Sequence, residues 1–146
     1  MTAETILIVD DNESNLRLME AILSAERFQV KSASDAEEAM VLLESWQPRL
    51  ILMDIQLPGI DGLELTRRLK RDPRFHTTAI VALTAYAMKG DEQKARAAGC
   101  DGYITKPVDT RALPKLIRQY LNPGAGRGSE GKSSGSRRRK GAGTRQ

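Results

Sequence analysis

Short apolar runs alternate with longer amphipathic stretches through the first 122 residues, and this pattern predicts alternating strands and helices. The five apolar runs are short enough for strands of a packed core; they lie at residues 5–9, 28–33, 50–53, 79–83 and 102–105. A stretch with apolar residues at helical spacing follows each run, so we expect helices over 12–25, from Asp35, from Asp61, over about 88–98 and from Asp109.

Three local features refine this prediction. Residues 28–33 are more polar than the other predicted strands, which favours an edge of the sheet. The helix over about 88–98 is poor in large apolar side chains, so we expect it to be among the less firmly held elements. Pro114 lies near the start of the last helix, where it should cost one backbone hydrogen bond.

The connections between these elements determine the fold class. Short loops between alternating strands and helices require parallel strands with right-handed crossovers. Both faces of a parallel sheet need cover, so the helices should pack on each side. We therefore predict an α/β fold, a (βα)5 doubly wound five-stranded parallel sheet with the flavodoxin-like strand order 2-1-3-4-5.

Charge is divided unevenly along the chain. Residues 1–122 hold 16 Lys and Arg against 18 Asp and Glu, a net charge of −2, whereas residues 123–146 hold 7 Lys and Arg against one Glu, a net charge of +6. Residues 123–146 are rich in Gly, Ser and Arg and contain no large apolar residue, so we expect a disordered basic tail after a domain over 1–122. The slightly acidic domain gives no electrostatic case for specific nucleic-acid binding.

Residue types that are rare in this chain exclude several function classes. Cys100 and His76 are the single cysteine and the single histidine, which excludes a disulfide framework and argues against zinc enzymes and Ser-His or Cys-His catalysis. No run of eighteen apolar residues and no basic region followed by an apolar stretch occurs, so we expect neither a membrane span nor a signal peptide. A cytoplasmic location is the natural expectation.

Polar side chains follow four of the predicted strands at the point where each strand ends. They are Asp10 and Asp11 after the first strand, Asp54 after the third, Thr84 after the fourth and Lys106 after the fifth. Because the carboxyl ends of parallel strands meet at one edge of a sheet, we expect these side chains to share one small cavity.

Three carboxylates in one cavity predict a divalent cation. Two carboxylates about 4 Å apart repel by roughly 4 kcal/mol at an effective dielectric of 20, and one lysine cannot balance three of them. Mg²⁺, or another divalent cation such as Mn²⁺, prefers such oxygen ligands. We expect Asp11 and Asp54 to contact the metal directly and Asp10 to do so partly through water, with the backbone carbonyl of Gln56 completing the set.

The convergence of a cation, an ammonium and a hydroxyl on one carboxylate predicts phosphoryl transfer. An Asp carboxylate can act as a nucleophile and form an aspartyl phosphate. Asp54 is the best candidate because it is central among the strand ends, and Lys106 and the metal would neutralise the phosphoryl oxygens.

At these residues the chain resembles the receiver domains of response regulators, the CheY-like family of bacterial two-component signalling. The resemblance covers residues 4–121 and rests on motifs in the family's order: Asp10-Asp11, Met53-Asp54, Leu57-Pro58-Gly59-Ile60-Asp61-Gly62, Thr84-Ala85 and Lys106-Pro107. Each motif is weak alone, but the ordered set at these spacings is highly specific.

The resemblance implies a phosphoacceptor signalling domain, not an enzyme with a substrate of its own. Asp54 would accept phosphate from a sensor histidine kinase or a histidine phosphotransfer protein, with Mg²⁺ held by the neighbouring acids. Thr84 and Tyr103 would be switch residues that remake the surface of the fourth helix, fifth strand and fifth helix for a downstream effector protein. The bond before Pro107 would be cis. The chain could be a freestanding regulator or part of a hybrid kinase.

Two other functions compete with this interpretation. A Mg²⁺-dependent phosphatase of the dehalogenase-like class needs a second Asp two residues after its nucleophile, but Gln56 stands there. Residues 137–140, Arg-Arg-Arg-Lys, could bind nucleic acid weakly and nonspecifically, although no aromatic residue is present for base stacking. A solvated tail is the simpler interpretation of this segment.

Each candidate residue also has an ordinary structural explanation when it is taken alone. Asp10 and Asp11 could form a turn and an N-cap, Lys106 could be a solvated surface lysine, and Tyr103 could be half-buried strand packing. The coincidence of several such residues at four strand ends favours a site over these explanations.

Overall fold

The computed structural model describes residues 4–57, 59, 61–85 and 89–122, and in these ranges strands and helices alternate. The elements are β1 (Thr5–Val9), α1 (Glu13–Ala25), β2 (Gln29–Ala33), α2 (Ala36–Leu43), β3 (Leu50–Asp54), α3 (Gly62–Arg71), β4 (Ala79–Thr84), α4 (Lys89–Ala98), β5 (Gly102–Thr105) and α5 (Leu113–Leu121). Two strands run one residue further than the sequence predicts, so Asp54 and Thr84 are themselves the last residues of β3 and β4.

The five strands form one parallel sheet in the order β2-β1-β3-β4-β5, as predicted. The more polar strand, β2, lies at an edge, with Gln29 and Lys31 exposed. The central strand, β3, is buried along its whole length. This order places the ends of β1 and β3 side by side.

Helices cover both faces of the sheet, which gives the domain two apolar layers. On one face α1 and α5 pack through Leu16, Met19, Leu23, Leu113, Ile117 and Leu121. On the other face α2, α3 and α4 contribute Ala36, Ala39, Leu43, Leu65, Leu69 and Ala95. Among the described side chains of α4, the buried ones are those of Ala95 and Ala98. This agrees with the prediction that the helix has few large apolar side chains.

Side-chain caps explain where the first three helices begin. Asn12, Asp35 and Asp61 each accept a hydrogen bond from the backbone N–H three residues ahead. Glu38, three residues after Asp35, accepts a hydrogen bond from the backbone N–H of Ser34 and so supports the start of α2 in the manner of a capping box.

The start of the last helix differs from the prediction. Asp109 does not begin α5; its Oδ1 accepts from the backbone N–H groups of Arg111 and Ala112 in a turn, and the helix begins at Leu113. Pro114 therefore lies in the first helical turn, where backbone N–H groups have no partner within the helix. The expected loss of one backbone hydrogen bond at Pro114 is wrong for this reason.

Several expectations fall outside the described residues. They include Met88 at the predicted start of the fourth helix, and the disorder predicted for residues 123–146. In the ranges that are described, the helices are too short or too polar to cross a bilayer.

Candidate functional site

The register of the sheet brings the predicted site residues to one edge. Val9 of β1 pairs with Met53 of β3, so Asp10 emerges beside Asp54. Asp54 in turn pairs with Leu83 of β4, one residue before Thr84. The strand ends that carry the polar residues therefore meet as predicted.

Asp10, Asp11 and Asp54 form a cluster that we call the acid cluster. One carboxylate oxygen from each lies within 4.8 Å of the others. Asp10 and Asp54 are buried, with 0% and 2% of their surfaces exposed, whereas Asp11 is exposed. The cluster is thus buried on one side and open to solvent at Asp11.

The carboxylate of Asp54 is held at both oxygens. Its Oδ1 accepts a 2.8 Å hydrogen bond from the backbone N–H of Gln56, and its Oδ2 accepts a 3.0 Å hydrogen bond from Nζ of Lys106. The first bond closes a tight turn after β3, and the second links β3 to the end of β5. These two contacts orient Asp54 from opposite sides.

Asp10 is held by similar contacts. Its Oδ1 accepts a 2.9 Å hydrogen bond from the backbone N–H of Asn12. Its Oδ2 is buried and forms a 2.9 Å ion pair with Nζ of Lys106, the same ammonium that contacts Asp54. Because one ammonium serves two buried carboxylates, a bound cation would offset the negative charge that remains.

Lys106 bridges the two buried carboxylates of the acid cluster. Its side chain is 17% exposed, and its backbone N–H donates to the carbonyl of Thr84. The peptide bond between Lys106 and Pro107 is cis, as the resemblance implied. Burial lowers the pKa of Lys106, but the contacts with Asp10 and Asp54 outweigh it and raise the pKa above its ordinary value. The ammonium is therefore charged at neutral pH.

The acid cluster carries more negative charge than Lys106 can balance. Burial raises the pKa of Asp54 above its ordinary value, although the hydrogen bond from Gln56 and the contact with Lys106 act in the opposite direction. Three clustered carboxylate oxygens and the buried Oδ2 of Asp10 fit a hard divalent cation such as Mg²⁺ or Mn²⁺.

The other predicted site residues lie around this cluster. Thr84 is fully buried at the end of β4 and pairs with Thr105 of β5. Tyr103 is half-buried in the middle of β5, where it pairs with Ala82, so it lies away from the strand ends. Gln56 is exposed, and its backbone belongs to the turn that holds Asp54.

Gly62, the last residue of the motif over 57–62, contacts the main chain of Asp54 in a way that the sequence did not predict. It is the first residue of α3, and a Cβ atom there would overlap the carbonyl oxygen of Asp54 and lie 2.8 Å from Cα of Ile55. The sequence contained one indication of this contact. Glycine destabilises helices, so its presence at the start of a helix suggests that close packing leaves no room for a side chain there.

A groove that Lys106 lines was also not predicted from the sequence. It has a volume of about 90 Å³ and lies between α1 and the loop after β5, with Lys106, Pro107 and Thr110 on one wall and Leu18 on the other. Leu18 is 51% exposed and falls off the buried stripe of Leu16, Met19 and Leu23. That departure from the helical stripe was the signal in the sequence.

Comparisons with known proteins agree with this geometry. A family model described as the response regulator receiver domain matches residues 6–118. The polar-differentiation response regulator DivK of Brucella anthropi is 40% identical over 118 residues, which cover 81% of this chain and 96% of that protein.

Solved structures give the same result. A CheY-like response regulator receiver domain protein from Methanospirillum hungatei superposes with a TM-score of 0.78 at 31% identity, covering 86% of this chain and 99% of that one. The receiver domain of the sensor histidine kinase PA1611 from Pseudomonas aeruginosa, solved with a magnesium ion coordinated in its active-site cleft, superposes with a TM-score of 0.76 at 30% identity. That match covers 83% of this chain and 99% of the Pseudomonas domain.

Proposed function

This chain belongs to the response regulator receiver domain family of two-component signalling, and from that premise we propose that Asp54 is its phosphoacceptor. The phosphoryl group comes from a sensor histidine kinase or a histidine phosphotransfer protein. Phosphorylation then changes the surface that a downstream effector protein binds.

The observation that carries this proposal is the environment of Asp54. It is a buried carboxylate oriented by Gln56 and Lys106, and it has two more carboxylates within 4.8 Å. A nucleophile fixed in this way loses little freedom when it reacts, which favours in-line attack on a phosphorus atom. Asp54 also ends the central strand of the sheet, which makes it the middle residue of the site.

The proposed transfer moves one phosphoryl group from a histidine of the donor to Asp54. A carboxylate oxygen of Asp54 forms a bond to phosphorus while the bond from phosphorus to the donor's imidazole nitrogen breaks, and that nitrogen keeps the electron pair and takes up a proton. Asp11, Asp54 and the backbone carbonyl of Gln56 would hold Mg²⁺ or Mn²⁺ directly, and Asp10 would do so partly through water; the metal would neutralise charge on the phosphoryl group.

Lys106 and Thr84 bind the transferred group in this proposal. Lys106 already contacts Asp54 at 3.0 Å, and its ammonium can move to a phosphoryl oxygen that forms at the same carboxylate. Thr84 ends the neighbouring strand, and its hydroxyl donates to a second phosphoryl oxygen after a small shift. The hydrogen bond from the backbone N–H of Lys106 to the carbonyl of Thr84 couples the two residues.

The proposed switch follows from the movement of Thr84. Phosphorylation adds about −1.5 to −2 charge to the buried end of β3. As Thr84 moves toward that charge, the chain after β4 moves with it and Tyr103 turns inward, which shifts the population of states of α4, β5 and α5. The anchoring of α4 through Ala95 and Ala98 supports this, because few buried contacts resist its movement.

The groove beside Lys106 supports a docking face for the phosphodonor. Leu18 exposes a large apolar side chain there, in a groove that Lys106 and Pro107 also line. An apolar contact at this position would hold the donor close to Lys106, which contacts Asp54. A donor kinase uses ATP, so the proposal places this domain in the cytoplasm.

The proposed chemistry is limited to the domain itself. We propose that the site accepts the phosphoryl group and loses it to water, and that this is its whole chemistry. The domain is then a phosphoacceptor and not an enzyme with a separate substrate. Gln56, exposed beside the acid cluster, lies where it can influence the attacking water and so the lifetime of the phosphate.

The experiment that tests the proposal uses acetyl phosphate and Mg²⁺ with intact-mass detection. The wild-type chain should gain the mass of one phosphoryl group, and the gain should disappear with EDTA. The variant Asp54→Asn should gain none, and Asp61→Asn serves as a matched control because Asp61 caps α3 and is not a member of the acid cluster. Wild-type levels of phosphate on Asp54→Asn would overturn the assignment.

A further inference from the structure

A buried threonine outside the acid cluster contacts the residue on which Asp54 rests. Thr66 of α3 is fully buried, and its hydroxyl donates a 2.8 Å hydrogen bond to the carbonyl of Gly62. Gly62 in turn touches the carbonyl oxygen of Asp54, with no room for a Cβ atom between them. We propose that Thr66 is a positioning residue for Asp54 and acts through Gly62; this inference rests on the function proposed above.

The contact between Gly62 and Asp54 is determined by space. Gly62 has no positive φ, so backbone freedom does not require glycine there. The first residue of α3 instead packs directly on the main chain of Asp54 and Ile55, and any displacement of Gly62 is passed to them. Because the same main chain forms the turn that orients the Asp54 carboxylate, the start of α3 is part of the support of the site.

Thr66 holds that start of α3 in place. The first helical turn otherwise depends on the cap at Asp61. The hydroxyl of Thr66 adds a second hydrogen bond at the Gly62 carbonyl, from the side that faces the core. Its oxygen lies 4.0 Å from Sγ of Cys100, at the end of the turn after α4. Burial raises the pKa of the Cys100 thiol to about 11, so the thiol remains an S–H donor at neutral pH.

A threonine inside a helix can also have an ordinary structural role. Threonines inside helices often donate to the carbonyl four residues earlier with no functional role. The difference here is that the accepting residue touches the candidate phosphoacceptor. A loss of the hydroxyl should therefore affect the chemistry at Asp54, and a loss of an equivalent hydroxyl elsewhere should not.

Thr78 supplies that matched control. It is also buried, and its hydroxyl donates to a backbone carbonyl, that of Pro48, at the opposite edge of the sheet. Thr66→Val and Thr78→Val each remove one such hydroxyl while they keep the shape of the side chain. Thr66→Ser keeps the hydroxyl and should restore function. All three avoid the severe overlap that Gly62→Ala would create.

The experiment measures the rate of phosphorylation by acetyl phosphate at saturating Mg²⁺, together with the amide NMR signal of Gln56. Misplacement by about 1 Å costs about a hundredfold in rate, so a shift of half that size should slow Thr66→Val about tenfold. Its Gln56 signal, which reports the hydrogen bond to Asp54, should move as well. Thr66→Ser and Thr78→Val should stay within twofold of the wild-type rate and leave the signal in place.

The outcomes separate this inference from the proposed function. If the wild type accepts phosphate and Thr66→Val reacts as fast as Thr78→Val, Thr66 has no positioning role. If the wild type accepts no phosphate, the proposed function fails, and the NMR signal of Gln56 alone tests the positioning role of Thr66. A signal that moves in Thr66→Val but not in Thr78→Val supports that role, and equal signals in both variants overturn it.

Discussion

Replacing Asp54 with asparagine should stabilise the metal-free fold. At an effective dielectric of 20 and a distance of 4.8 Å, the buried carboxylate of Asp10 repels that of Asp54 by about 3.5 kcal/mol. The exposed carboxylate of Asp11, at the same distance but at the dielectric of water, adds about 1 kcal/mol of repulsion. Lys106, at 3.0 Å, attracts Asp54 by about 5.5 kcal/mol on the same scale. These charge terms nearly cancel.

The cost of removing the Asp54 carboxylate from water therefore decides the sign. That cost is several kcal/mol for a carboxylate in a buried site, and Asp54 is 2% exposed. Asparagine has nearly the same shape and can still accept the hydrogen bond from Gln56. We expect Asp54→Asn to be about 1 to 3 kcal/mol more stable than the wild type, which corresponds to a rise in Tm of about 4 °C per kcal/mol.

The pH dependence of this difference follows from the direction of the pKa shift. Burial raises the pKa of Asp54 above its ordinary value of 3.8, so the ionised carboxylate is favoured less in the folded chain than in the unfolded chain. The wild type therefore loses stability as pH rises from the ordinary pKa through the raised one. The advantage of Asp54→Asn should thus shrink as pH falls toward 4.

Thermal unfolding in EDTA and in Mg²⁺ tests both parts of this reasoning. In EDTA at pH 7 the variant should melt at a higher temperature than the wild type, and Mg²⁺ should raise the Tm of the wild type much more than that of the variant. Asp61→Asn keeps the acid cluster, so Mg²⁺ should raise its Tm as much as it raises that of the wild type. A variant that melts below the wild type in EDTA would refute the dominance of desolvation at Asp54.

Three further predictions concern other parts of the chain. Thr84→Ala should still accept phosphate, because Asp54 and Lys106 remain, but the change in the Tyr103 ring NMR signals upon phosphorylation should be reduced; an undiminished change would contradict the switch. Leu18→Glu should slow phosphoryl transfer from a phosphorylated histidine kinase about tenfold but leave the rate of phosphorylation by acetyl phosphate unchanged. The control Val41→Glu, at a residue that is 64% exposed on α2, should change neither rate. Equal effects of the two variants would argue against docking at the groove. Removal of residues 123–146 should leave Tm nearly unchanged in calorimetry, and a loss of several degrees would mean that the tail packs on the domain.

The sheet and most of the site could be predicted because local patterns determine them. Five apolar runs with short connections permit few arrangements, and in the parallel one the strand ends that carry Asp10, Asp54 and Lys106 must meet. The start of α5 could not be predicted in the same way. Asp109 resembles a helix cap in sequence, but its carboxylate bonds instead to Arg111 and Ala112.

Contacts between elements were harder to foresee than the elements themselves. The overlap that excludes a side chain at Gly62 depends on how closely α3 approaches the end of β3, and no periodicity reports such a distance. The hydrogen bond from Thr66 to Gly62 could be guessed from their spacing of four residues, but its relation to Asp54 could not. The groove at Leu18 likewise forms only when α1 lies beside the loop that carries Pro107.

The polar edge of the sheet has a consequence for the behaviour of the protein in concentrated solution. An exposed edge strand offers unpaired backbone groups to which a second molecule can add a strand, and this is a common route to aggregation. On β2 the exposed side chains are Gln29 and the charged Lys31, whose ammonium lies 4.7 Å from the ring centre of Trp46. Adding a strand at this edge would place a partner beside that charge, so Lys31 disfavours strand addition at β2.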